Sequence, residues 1–226
     1  MKILFLGTGA ADWPAKRQEP DHEFRRMSSV LIDDILLIDP GPGVLDALQE
    51  YGCNLSSIQY IINTHTHSDH LDPSALTTLL QAGAAFHVLQ AGDVIHLSPY
   101  FISAHKANHA TCEDAVHFLI DDGEKRLFYG LDGAWLLYEE VEAIKQKTVD
   151  YAILDGTIGE SEGDYRIFEH NNLRMVREMR STLHPYINRF CISHLARTLH
   201  PSHEEVAAAM RPWNIEVAYD GYEVQL

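Results

Sequence analysis

The stretch "NTHTHSDHLDP", residues 63–73, places three histidines and two aspartates between His65 and Asp72. It follows the apolar run "IQYII", which reads as a buried strand. It leads into a helix announced by Asp72 as N-cap and Pro73 at the first helical position. A strand-to-helix junction is therefore built from side chains that bind metals. If the chain leaves the strand still extended, residues 65, 67 and 69 point to one side, and His70 belongs to the turn. Four potential ligands, His65, His67, Asp69 and His70, come from one loop. Imidazoles with a carboxylate suit Zn, Mn or Fe. A solvent-facing loop that happens to be histidine-rich is the plainer alternative, but it does not explain the position at the end of an apolar strand.

Working outward, three other strand-like runs meet turns in the same way. "SAHKANHA" (103–110) offers His105 and His109, "RLFYGLDG" (126–133) offers Asp132, and "RFCISHL" (189–195) offers His194. Further apolar runs, such as "KILFLG", "SSVLI", "ILLID", "AFHVLQ", "AVHFLI", "YAILDG" and "IEVAY", read as strands. Helical stretches are predicted at 44–51, 74–82, 138–147, 171–183 and 203–210, the last opened by the capping box "SHEE". Early strands are joined by hairpin-length gaps, as in "SSVLIDDILLIDPG", and later ones alternate with helices. The mixture predicts an α/β fold of stacked sheets flanked by helices. No linker or repeat divides the chain, so one domain over 1–226 is expected. The polar, proline-broken stretch 11–27 reads as a long loop.

Composition sets the limits of function. Lys plus Arg is 17 and Asp plus Glu is 33, a formal net charge of −16, so long nucleic acid is not an expected partner. Three cysteines, Cys53, Cys112 and Cys191, lie far apart with no C-x-x-C pair, which points to a reducing compartment. "MKILFLGTGA" is too short an apolar run for a signal peptide, and no run of apolar residues reaches membrane-spanning length. A soluble, cytoplasmic protein with no membrane partner is expected.

H-x-H-x-D-H after a strand, a later loop histidine, a strand-end aspartate and a final strand-end histidine resemble the metallo-β-lactamase superfamily. "LFLGTGAADWP" with "RRMSSVLI" is similar to the opening of its ribonuclease Z and phosphoribosyl cyclic phosphodiesterase branches, and "LLIDPGPG" to its first motif. The resemblance implies a four-layer αββα sandwich, with mixed or mostly antiparallel sheets, and a metal-dependent hydrolase with two divalent ions, Zn or Mn, with Fe a third option. It implies a first ion on His65, His67 and His109, a second on Asp69, His70 and His194, and Asp132 bridging them. His109 is preferred to His105 because "KANHA" resembles the family's asparagine–histidine loop. Asp39 would brace the histidine loop without binding metal. "FEHNNLRMV" (168–176) resembles a stretch of the cyclic phosphodiesterases in which a histidine reaches the substrate, here His170. "VAYDGYEV" is similar to that branch's last strand, and a homodimer is implied as well.

The function expected is hydrolysis of a small phosphodiester or cyclic phosphate by a metal-bridging hydroxide, with Asp69, Asp132 and His170 as the catalytic candidates. The same metals would serve a carboxylic ester, lactone, thioester or β-lactam, and a non-catalytic metal-binding protein is the remaining class. Three departures from the family stand out. Gly133 follows Asp132 where relatives carry Thr or Ser, and neither a cysteine-rich structural zinc site nor an RNA-clamping arm has a counterpart. Other residues read as structural. "GTGA" (7–10) lacks the third glycine of a dinucleotide loop, Cys112 is an ordinary thiol, and His200 and His203 flank a helix start. His87, His96, His117 and His184 sit in strand or helix patterns, and Trp135 is the aromatic residue that could wall a pocket.

Overall fold

β-Branched and aromatic runs separated by short turns become strands, and in the computed structural model, which describes residues 1–17 and 23–226, they assemble two mixed sheets. Each sheet belongs to one of two compact units, Met1–Leu89 with Ala218–Leu226, and Gln90–Val217.

The first unit is built from β1 (Lys2–Gly7), β2 (Ser29–Ile32), β3 (Leu36–Ile38), β4 (Tyr60–Ile62) and β5 (Ala85–His87). The hairpin connections make β1, β2 and β3 antiparallel, whereas β3, β4 and β5 are parallel. Their crossovers carry α1 (Val44–Glu50) and α2 (Pro73–Gln81). Val44, Ala47 and Leu48 of α1 and Ala75 and Leu79 of α2 pack on Leu4, Leu6, Leu31, Leu37 and Ile61, one face of the sheet. The alternate residues Ile3, Phe5, Val30, Ile32 and Ile38 are buried too, so these strands are apolar without alternation. Each such side chain contributes roughly 1.5–3 kcal/mol through burial. The glycines of "GTGA" serve close backbone approach: a Cβ on Gly7 would collide with the Met27 carbonyl, and one on Gly9 with the Trp13 ring. Of the stretch 11–27, residues 18–22 lie outside the described residues; beside them Trp13 meets Phe24 edge to face, ring centroids 6.3 Å apart.

The second unit contains β6 (Val94–Leu97), β7 (Tyr100–Lys106), β8 (Val116–Asp121), β9 (Arg126–Gly130), β10 (Val149–Asp155), β11 (Ile187–Ser193) and β12 (Ile215–Val217), in the order β12-β11-β10-β9-β8-β7-β6. Strands β9 to β12 are parallel and β6 to β9 antiparallel. The helices α3 (Tyr138–Gln146), α4 (Leu173–Leu183) and α5 (His203–Met210) connect the parallel strands. Ile144, Val176, Met179, Val206 and Met210 cover Phe128, Ala152, Leu154, Phe190 and Ile192. After β12 the chain returns to the first unit, where β13 (Glu223–Gln225) pairs antiparallel with β1.

Two mixed sheets flanked by helices are the fold class expected. The helix predicted at 171–183 begins at Leu173, because Asn172 accepts the Met175 N–H at 2.9 Å and sets the start. β6 was not foreseen; it is a four-residue edge strand in which Val94 and His96 are exposed and only Leu97 is buried. No helix among the described residues is long and apolar enough to cross a membrane.

Candidate metal centre

In the first unit β3 and β4 run parallel, with Ile38 beside Ile62, so Asp39 and the histidine loop leave the same edge of the sheet. His65, Asp69 and His70 are buried and His67 is half-buried. The His65 ring lies 4.5 Å from that of His67 and 4.4 Å from that of His70, centroid to centroid. His70 Nε2 is 3.4 Å from Asp69 Oδ2. Asp39 organises this cluster. Its buried carboxylate accepts the Thr64 N–H at 2.7 Å and the Thr64 hydroxyl at 3.0 Å, and accepts His70 Nδ1–H at 3.0 Å. The Thr64 hydroxyl, its proton committed to Asp39, accepts from His65 Nδ1 at 3.0 Å. This arrangement favours the tautomer with the proton on Nδ1 in both histidines, in which Nε2 is the nitrogen able to bind a cation. Gly41 lies against the Asp69 carbonyl with no room for a Cβ.

In the second unit the parallel strands β9, β10 and β11 end side by side, where α/β sheets place their chemistry. Asp132 lies two residues beyond β9, Asp155 ends β10 and His194 follows β11. His194 Nε2 is 3.1 Å from Asp132 Oδ2, and its Nδ1 is 2.7 Å from the Thr157 hydroxyl. His170 Nδ1 donates to Asp155 Oδ2 at 2.9 Å and lies 3.5 Å from Asp132 Oδ1. One ligand atom from each of Asp132, Asp155, His170 and His194 lies within 4.8 Å of the others.

Burial works against charge here, but the neighbours prevail. Asp155 is fully buried, which raises its pKa, yet His170 and His194 hold it well below the usual carboxylate range. Burial lowers the His170 pKa, and the Asp155 carboxylate more than reverses this, so His170 is raised above 6.5.

His109 is buried and donates from Nδ1 to the Glu169 carbonyl at 3.4 Å, with its ring 5.5 Å from that of His170. His105 lies on β7, where its Nε2 pairs with the Ser103 hydroxyl at 2.9 Å. His200 reaches the carbonyls of Gly156 and Thr157 at 2.8 and 3.1 Å and braces the loop after β10. Trp135 is 45% exposed, and its N–H donates to Asn171 Oδ1 at 2.7 Å.

Three residues in this cluster were not singled out in the sequence. Asp155 ends "YAILDG" as Asp39 ends "LLIDPG" and Asp132 "YGLDG", so the signal was a third strand-end aspartate followed closely by glycine. Thr157 brings a hydroxyl to His194 although Gly133 carries none. Asn171 had no signal beyond its place after His170. The donors in both units are imidazole nitrogens and carboxylate oxygens, and Nδ1 of His65, His70, His170 and His194 is held by a protein partner. That is what Zn, Mn or Fe(II) requires, so the residues present fit divalent cations.

Residues 25–71, which contain Asp39 and the histidine loop, match the model of the metallo-β-lactamase superfamily. The structure is similar to the metallo-β-lactamase fold protein YhfI from Bacillus subtilis, with a TM-score of 0.76 and 16% identity over 99% of this chain and 98% of that one. The fold is that of the metallo-β-lactamase fold protein, and the match in sequence lies in residues 25–71. Two further solved structures are similar to it. A diphosphatase from the PhnP family has a TM-score of 0.74 and 17% identity over 100% of this chain and 97% of that one. The short form of human tRNase Z has a TM-score of 0.74 and 17% identity over 100% and 99%. At these identities the likeness concerns the fold. No curated protein sequence matches the chain.

Proposed function

We propose that this chain is a binuclear metal-dependent hydrolase of small phosphodiesters or cyclic phosphates. The observation that carries the reading is His170, anchored through Nδ1 by Asp155 at 2.9 Å beside the Asp132–His194 pair. In this reading His65, His67, Asp69, His70, His109, Asp132 and His194 would hold two divalent ions. Bound there, Zn or Mn ions would supply Lewis acidity and bring the pKa of a coordinated water toward ~7.

The chain's own residues supply the rest. Asp39 and Thr64 hold His70 and His65 in the tautomer that ligates. Asp155 keeps His170 protonated beyond the ordinary histidine range, and with Nδ1 occupied, Nε2 is the atom from which a proton passes to the leaving oxygen. A departing alkoxide needs that proton, and a phosphate monoanion suits a site whose local positive charge comes from bound cations while the chain as a whole is at −16. That balance favours a small anionic substrate over long nucleic acid. Two of the similar structures, a diphosphatase and a tRNase, are named for phosphate chemistry.

The test is turnover of bis(p-nitrophenyl) phosphate by protein reconstituted with Mn or Zn. Metal-dependent hydrolysis that is lost in Asp132→Asn is the expected result. A protein that holds two ions per chain and leaves this substrate intact would turn the reading toward carboxylic esters and lactones. One that holds no metal would end both.

A further inference from the structure

The turn that presents Asp132 is strained. Asp132 and Trp135 both lie in the left-handed region, at φ 55° and 58°, which is unfavourable for a bulky residue such as tryptophan. Four backbone polar groups, those of two successive peptide units, are pinned. Asn171 donates from Nδ2 to the Gly133 carbonyl at 2.9 Å and accepts the Trp135 N–H at 2.7 Å. Asn108 donates from Nδ2 to the Ala134 carbonyl at 2.6 Å, and its own carbonyl accepts the Ala134 N–H at 3.0 Å.

The remaining hold comes from His117 on β8. Its Nε2–H donates to the Leu131 carbonyl at 3.1 Å. Its ring lies so close over Gly133 that a Cβ there would stand 2.5 Å from Cε1, which gives a reason for glycine at this position. The other ring nitrogen, Nδ1, meets Glu140 Oε1 at 2.6 Å. Glu140 Oε2 accepts the Leu137 N–H at 2.8 Å, at the start of α3, the helix that follows the turn. His117 and Glu140 are both almost completely buried. Such a pair contributes little net stability compared with apolar residues of the same volume. What apolar residues could not do is donate to Leu131 and set the height of the turn above β8.

We infer that His117 and Glu140 form a positioning pair, which fixes the Leu131–Trp135 turn and through it the direction of the Asp132 carboxylate. The role toward a metal rests on the reading of Asp132 as a ligand; the hold on the turn does not.

The test compares wild type with the double variant His117→Phe, Glu140→Gln. Phenylalanine keeps the ring volume, glutamine keeps an acceptor for Leu137, and the bond to Leu131 is lost. In metal-free protein, amide hydrogen exchange at Ala134 and Trp135 is expected to quicken about tenfold while the amides of β10 keep their protection. A general loss of stability would move both. Calorimetric titration with Mn is expected to show affinity about 10–100-fold weaker, the usual effect of removing an outer partner of a ligand. Unchanged exchange at Ala134 and Trp135 overturns the inference, as does faster exchange with unchanged metal affinity. If wild type itself binds no metal, the proposed function fails and the exchange comparison still decides whether the pair holds the turn. Glu140→Gln alone, which keeps the histidine ring in place, serves if the double variant does not fold. It should then show a smaller change in the same direction, and no change there also overturns the inference.

Discussion

Asp39 is a single carboxylate that reaches two histidines, one directly and one through the Thr64 hydroxyl. It stands at φ 56°, which asparagine tolerates as readily as aspartate. Asp39→Asn therefore keeps the turn and an acceptor for Thr64 N–H but sets an amide against His70 Nδ1–H. Metal affinity is expected to fall about 10–100-fold with only a small change in Tm. Asp39→Ala additionally leaves a buried N–H without its acceptor, at a cost of roughly 1–3 kcal/mol. Titration and thermal denaturation of the two variants separate these effects. His117 gives a prediction in pH. Burial lowers its pKa, and the Glu140 carboxylate more than offsets this, so the folded value lies above 6.5. A raised histidine contributes its full stability below the unfolded value and loses it as pH rises through the folded one. The Tm of wild type relative to the double variant should therefore be highest near pH ~6 and decline toward pH ~9. A constant difference across that range would refute the charged form. The sequence pattern had marked His117 only as a strand residue. Its partner Glu140 lies 23 residues away, and nothing local joins them.

At the scale of elements, the helix starts carry much of what was legible. Asp72 accepts the Ser74 N–H at 2.8 Å, and Ser202 and Glu205 cap each other at the start of α5. These bonds span two or three residues, so the sequence shows both partners at once. Asn172 belongs to the same class, and it sets where α4 begins directly after His170. Asn172→Ala should cost about 1 kcal/mol and lower Tm by about 2–4 °C for a chain of this size. Because α4 buries Leu173, Val176, Met179 and Leu183, the helix itself is expected to persist, as far-UV circular dichroism would report. Elements that depend on distant neighbours were less legible. The three-residue β4 occupies only the end of "IQYII", and β6 shows an outward-facing pattern that a loop could share.

For the whole molecule, the ligands assigned in the proposed function lie far apart in sequence, so bound metal should favour the folded chain over the unfolded one. A ligand that binds only the folded state at 100 times its Kd adds about 2.7 kcal/mol. Adding Mn or Zn to chelator-stripped protein should raise Tm, and chelator should reverse the rise. No shift would contradict the assigned ligand set. The net charge of −16 predicts that excess polyanion, such as heparin, leaves turnover of a small phosphodiester unchanged. Strong competition would instead reveal a basic surface that the composition does not suggest. What the sequence determined by itself was whatever short-range spacing encodes: the apolar strands, the capped helices, and a loop whose ligands recur every second residue. Only the tertiary structure decided that Asp155, Thr157 and Asn171 join Asp132, His170 and His194, and that His117 lies beneath them. The reason is register. Which strand ends become neighbours depends on the order β11-β10-β9 and on the packing of helices that lie between those strands in sequence, and no local pattern carries that order.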